Sequence, residues 1–268
     1  SASLFLIPVL IFSQAQAMFT SSFLIADVDT EYNRIWVLES VDGKTGRPIR
    51  ALATDPFGIQ AAVYTDGSKE LVFDYAKIYN LHKHFVPKVK SALMIGGCAY
   101  TYPRDFLRQN PEAVIDVVEI DPGMTKVARD YFGLKDDLRM NIIHEDGRVF
   151  LNKNTKKFDV IFGDAFNSSS AVPFQLTTVE AVEKQYEALN DGGAAMINMI
   201  SAIEGEKGKF ARAEYATYKA VFPQVFLFTV NEVAIGSANQ NIVLVALKSE
   251  KKISTVSEDE ELDGSLKR

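Results

Sequence analysis

"ALMIGGCAYTYPRDF" (residues 92–106) and "VIDVVEIDPG" (residues 114–123) decide the fold class of this chain. Each begins as an apolar run and ends on a marked break. The first ends in Gly96–Gly97, the second in Glu119, Asp121 and a proline. Short apolar runs without polar alternation are strands covered on both faces. The same pattern recurs downstream in "MNIIHED" (140–146), "FDVIFGDAF" (158–166) and "GAAMINMI" (193–200). Between these runs the polar and apolar spacing predicts helices near 102–109, 123–132, 147–153 and 178–189. Alternating strand and helix means a mostly parallel sheet in an α/β layered domain. "FPQVFLFTVN" (222–231) and "QNIVLVALK" (240–248) are separated by a short polar segment, which predicts a final antiparallel hairpin.

Upstream the rhythm differs. "YNRIWVLES" (32–40), "RPIRALATD" (47–55) and "IQAAVYTDG" (59–67) predict a small antiparallel β-unit over residues 32–66. "SKELVFDYAKIYNLHKHF" (68–85) has the apolar spacing of one amphipathic helix, stopped near Pro87. The division that follows is an apolar leader over 1–22, a β-hairpin domain with its helix over 23–90, a Rossmann domain over 91–248, and a charged tail over 249–268. The tail has few large apolar residues, which predicts mobility.

The leader is apolar from Leu4 to Phe12, too short for the roughly 20 apolar residues of a membrane span. "AQA" (15–17) has the composition of an export cleavage site. A cleaved export signal, the stub of a membrane segment and an ordinary first helix all stay open. A periplasmic or otherwise exported location follows from the first, a membrane-associated one from the second, and a cytoplasmic one from the third.

Across its 268 residues the chain is 47% hydrophobic and 24% charged, with a formal net charge of -6. That balance suits a globular protein and argues against nucleic-acid binding, which wants a basic face. The single cysteine, Cys98, excludes an internal disulfide framework and a cysteine-rich zinc site. His82 and His84 form an H-x-H without accompanying ligands, so no metal is assigned and a solvated helix end is expected.

In an open α/β sheet the ligand lies beyond the carboxyl ends of the strands. Four consecutive strand ends here carry Gly96 and Gly97, Glu119 and Asp121, Glu145 and Asp146 followed by Gly147, and Asp164. Glu119 stands 23 positions after Gly96, the spacing of an acid that takes two ribose hydroxyls. No full G-x-G-x-x-G follows, so an adenosyl group without a pyrophosphate is the better fit.

"ALMIGGCAYTYPRDFL", "VIDVVEIDPGMTKVARDYF", "IIHEDGRVFL", "KFDVIFGDAF" and "VPFQLTT", in this order, resemble the spermidine synthase family, the polyamine aminopropyltransferases. The likeness is greatest to a divergent bacterial branch often fused to membrane segments, and it covers roughly residues 31–200. It implies a methyltransferase-like Rossmann domain with an antiparallel last strand, behind a small β-rich domain and usually in a homodimer. It further implies aminopropyl transfer from decarboxylated S-adenosylmethionine to a small amine, with methylthioadenosine released and no tightly bound cofactor. By position, Gly96, Gly97, Glu119, Asp121, Asp146 and Gly147 fall on the nucleoside side, and Asp164 on the carboxylate that orients the amine and removes its proton. Asn33, Asp74, Tyr75, Tyr79, Tyr100, Arg104 and Asn167 are the candidates for the substrate side.

The departures from the family are specific. The family's GGGDGG loop has its acid where this chain has Ala99. A second acid after the fourth strand becomes Asn167, and the tyrosine and histidine of the gate helix become Phe73 and Tyr79. Loss of the acid at 99, with Arg104 nearby, admits intact S-adenosylmethionine as an alternative donor. A methyltransferase releasing adenosylhomocysteine, and a non-catalytic nucleoside- or partner-binding protein with its acceptor tunnel plugged by Phe73, Phe166 or Tyr100, are the competing readings.

Overall fold

The computed structural model describes residues 22–55, 58–165, 173–230, 236–254, 256–257 and 259–267. Residues 1–21 of the leader, Phe166 and Asn167 therefore lie outside the described residues. The amino-terminal part is a four-stranded antiparallel sheet of β1 (Phe23–Asp29), β2 (Arg34–Val41), β3 (Pro48–Ala53) and β4 (Ala61–Tyr64), in sequential order. The edge strand β1 was not legible, because its burial is partial and Asp27 and Asp29 interrupt the apolar pattern.

The expected single helix over 68–85 is shorter and broken. Leu71 bridges Val63 in extended backbone and Phe73 is also extended, so α1 spans only Asp74–Ile78. A 3₁₀ turn (Tyr79–Leu81) and α2 (His82–Phe85) complete the segment. His82 is not a solvated end: it is fully buried, with its ring against Phe106 and Phe162. Burial pushes its pKa down to about 4.

The second part follows the alternating rhythm: β5 (Ser91–Ile95), α3 (Thr101–Gln109), β6 (Val114–Glu119), α4 (Pro122–Tyr131), β7 (Met140–His144), α5 (Gly147–Lys153), β8 (Phe158–Gly163), α6 (Val179–Ala188), β9 (Leu189–Ser201), α7 (Lys209–Val221), β10 (Gln224–Thr229) and β11 (Gln240–Leu247). Three helices start on side-chain caps, Asp121 for α4, Asp146 for α5 and Thr178 for α6. The sheet order is β10-β11-β9-β8-β5-β6-β7. Pairing is parallel from β9 through β7, and β11 runs antiparallel to both neighbours. This is the methyltransferase-like arrangement with its antiparallel last strand.

Alternate strand residues feed two cores. Met94, Val117, Phe162 and Val245 pack on one face with Phe106, and Leu93, Val118, Ile161 and Leu244 on the other with Val182 and Tyr218. The order reverses between β5 and β8, so their carboxyl ends open a crevice. The small sheet closes over it, held by a third cluster joining Ile35, Val37 and Leu52 to Met124, Val127 and Phe132.

The charged tail is more ordered than its composition predicts. A last helix, α8 (Glu260–Leu266), lays Leu262 and Leu266 beside Ile253 against the first core cluster. Among the described residues no helix is long and apolar enough to cross a membrane.

Candidate active site

A cleft of about 340 Å³ lies at the reversal point, between the ends of β5, β6, β7 and β8 and the small sheet. Its floor starts at the glycine pair. Gly96 has φ +93°, and a Cβ there would stand 2.4 Å from the backbone oxygen of Asp164. Only glycine lets β5 and β8 end this close together. A Cβ on Gly97 would meet the Tyr100 ring at 2.8 Å. The following residues Cys98, Ala99 and Tyr100 all have positive φ (34°, 57° and 58°), which side chains adopt only under strain.

Glu119 is held by backbone donors on both oxygens, the N–H of Gly97 at 2.8 Å and that of Asp121 at 2.9 Å. Burial raises its pKa, and those two hydrogen bonds oppose the rise. Asp146 lines the cleft and caps α5, its Oδ1 accepting from the N–H groups of Arg148 (2.8 Å) and Val149 (3.0 Å). Gly147 lies beside it in the cleft wall.

Asp164 ends β8 and receives two donors. The Tyr75 hydroxyl donates to Oδ2 at 3.1 Å and the Asn198 amide to Oδ1 at 2.9 Å. Asn241 donates in turn to the Asn198 oxygen at 3.0 Å. Burial pushes the Asp164 pKa up to about 6, partly opposed by these donors. The Tyr75 phenol is raised well above its usual range by burial and the neighbouring carboxylate, so it stays a donor. Asn198 on β9 and Asn241 on β11 were not singled out from sequence. The signal was one asparagine inside each apolar run, "MINMI" and "QNIVLV".

Several expected site residues sit elsewhere. Asp121 is buried outside the cleft, where it caps α4 and accepts from Thr30 (2.6 Å) and Asn33 (2.9 Å), clasping the small sheet to the larger one. Asn33 does line the cleft, with its amide committed to that clasp. Asp74 is ion-paired with Lys44 and Lys77 and is not part of the cleft lining. Tyr79 is fully buried and donates to the Gly163 carbonyl at 2.8 Å. Tyr100 is also fully buried, its hydroxyl bonded to Thr125 at 2.7 Å, so it plugs nothing.

The charge argument built on Ala99 and Arg104 also fails. Ala99 is packed in the third core cluster, and Arg104 belongs to a different cavity. Burial pushes the Cys98 thiol well above its usual range, which suits an inert side chain. Among the described residues of the lining, Glu119, Asp146 and Asp164 carry no ion pair, Glu145 is paired with Lys153 outside the lining, and no Lys, Arg or His belongs to the lining itself. No group of acids, histidines and cysteine there could hold a metal ion. The described lining is therefore acidic.

Residues 73–258 match the profile of the spermine/spermidine synthase domain. The chain is 28% identical over 176 residues to a polyamine aminopropyltransferase of Vibrio vulnificus, covering 64% of this chain and 57% of that one. It is 31% identical over 166 residues to a probable polyamine aminopropyl transferase of Bifidobacterium longum, covering 62% and 36%. The matched region thus spans just over half of one curated relative and about a third of the other. A probable spermidine synthase from Corynebacterium glutamicum shares the fold, with a TM-score of 0.73 at 22% identity over 88% of this chain and 83% of that one.

Proposed function

Because the chain belongs to the spermine/spermidine synthase family, we propose that it transfers an aminopropyl group from decarboxylated S-adenosylmethionine to a small amine. The observation that carries this reading is the cleft's charge: four carboxyl groups line it, three of them without an ion pair, and no cation stands among the described lining residues. A sulfonium donor and an amine acceptor are both cationic before reaction, and a half-enclosed acidic cleft favours both. The carboxylate of intact S-adenosylmethionine would find no cation among the described lining residues, which favours the decarboxylated donor.

In this reading Glu119 accepts the two ribose hydroxyls, its backbone donors keeping the carboxylate turned towards the cleft. The free oxygen of Asp146 accepts from the adenine amino group, while Gly96 and Gly147 leave room for the nucleoside. Asp164 takes a proton from the incoming ammonium, so that its nitrogen lone pair is free. The nitrogen then forms a bond to the propyl carbon as the carbon–sulfur bond breaks. The bonding pair returns to sulfur, and neutral methylthioadenosine leaves. A carboxyl poised near 6 suits a base that must return its proton to solvent each cycle.

The test is to mix the protein with decarboxylated S-adenosylmethionine and a panel of diamines and to follow products by mass spectrometry. Methylthioadenosine with an extended polyamine is expected. Adenosylhomocysteine formed from intact S-adenosylmethionine would replace this reading with methyl transfer, and no turnover of either donor would leave a binding protein. Calorimetry with both donors should show the decarboxylated form binding at least about tenfold tighter.

A further inference from the structure

A second cavity, about 580 Å³ and larger than the cleft, shares no lining residue with it. It lies between β4 and the segment after it, α3, and the turn that joins α4 to β7. Its charges are unevenly spent. The four carboxylates on its wall are already held: Glu70 by Arg47 (2.6 Å), Asp105 by Arg108, Asp136 by Arg129 (2.7 Å) and Asp137 by Arg139 (2.8 Å). Lys69, Arg104 and Lys135 line the same cavity and form no ion pair among the described residues.

Arg104 is the telling member. It is half-buried in α3, and its one hydrogen bond among the described residues runs from Nε to the Tyr100 carbonyl at 3.1 Å. The guanidinium has five N–H donors, so four are left over. Burial pulls its pKa down and no carboxylate offsets the pull; an arginine nevertheless stays charged. A half-buried charge without an ion-pair partner is one that a bound anion would complete. Part of the wall is apolar, from Val63, Leu107, Phe132 and Met140.

We propose that this cavity binds a small organic anion, a carboxylate or phosphate group on an apolar body, with Arg104 as its bidentate partner and Lys69 and Lys135 as supporting charges. The terminal nitrogens of arginine match the paired oxygens of either group. The apolar wall takes the body of the ligand, as mostly apolar pockets with few polar anchors do. The site is independent of the aminopropyl-transfer reading, because it shares no residue with the cleft.

Calorimetry on the full chain with phenyl phosphate and with benzoate tests the two sources, with inorganic phosphate as the control lacking a body. Saturable binding of either aromatic anion is expected, tighter than that of inorganic phosphate. Arg104→Gln and Lys135→Gln should each weaken it, the first by at least about tenfold. Lys135→Gln should leave methylthioadenosine binding in the cleft unchanged. Binding of phenyl phosphate alone assigns a phosphate, and of benzoate alone a carboxylate. No saturable binding at about millimolar concentration, or binding indifferent to both substitutions, overturns the proposal. Should Arg104→Gln fail to fold, Lys69→Gln and Lys135→Gln together decide by the same criterion.

Discussion

Replacing Tyr75 with phenylalanine removes one hydroxyl and keeps the ring that stacks on Phe73. That hydroxyl is one of two donors on the Asp164 carboxylate, at 3.1 Å, the other being Asn198 at 2.9 Å. A hydrogen bond to an ionised group contributes about 1.5–3 kcal/mol. Since about 1.4 kcal/mol corresponds to one pH unit, losing the donor should raise the Asp164 pKa from about 6 by about 1–2 units. In the proposed reaction the ionised carboxylate is the working base, so the acid limb of the kcat/KM profile should move up by the same amount. Activity lost near neutral pH should return in alkaline buffer. The assay is initial-rate methylthioadenosine release across a pH series, with Asn198→Ala as the matched variant on the other oxygen. An acid limb that stays near 6 in both variants, or a loss of equal size at every pH, would refute this account of how Asp164 is tuned.

Four further outcomes are expected. Asp164→Asn should lower aminopropyl transfer by at least about a hundredfold. The same substitution should stabilise the fold in alkaline buffer. The folded pKa of about 6 stands above the ordinary 3.8, so the carboxyl supports the fold below the lower value and loses that support as pH rises through the higher one. Thermal melts should show a gain of about 3 kcal/mol at most above that range, and none in acid. Gly96→Ala should cost more than about 2 kcal/mol in urea unfolding, because its Cβ would fall 2.4 Å from a backbone oxygen at a positive φ. Glu119→Gln should weaken methylthioadenosine binding by about tenfold to a hundredfold in calorimetry.

The strand–helix alternation and the strand-end acids were legible because they are local: a run of apolar residues and the polar residue that stops it lie together in sequence. Glu119, Asp146 and Asp164 were found in this way. What escaped depends on contacts between distant segments. Asp121 has the same local setting as Glu119, and only the approach of Thr30 and Asn33 turns it into a clasp instead of a ligand-facing acid. Tyr79 carries a polar tip like Tyr75, one helical turn away, but its hydroxyl is taken by the Gly163 carbonyl. Asn198 and Asn241 become site residues only because β11 pairs antiparallel beside β9. Charge spacing placed Arg104 near the donor, whereas the helix carries its side chain into the other cavity.

The left-handed run Cys98–Ala99–Tyr100 has an evolutionary consequence. Each such residue costs about 1–2 kcal/mol that glycine would not incur, yet glycine would loosen the unfolded chain by about 0.4–1 kcal/mol. The balance differs by position. Tyr100 fixes its ring under Gly97 and its hydroxyl on Thr125, and Ala99 fills a packed core, so replacement by glycine is penalised at both. Cys98 sits at the edge of the same cluster and its sulfur makes one weak contact, with the Gln60 carbonyl at 3.4 Å. Of the three, it is the position where glycine is least opposed, and a screen for thermostable variants should recover glycine there first.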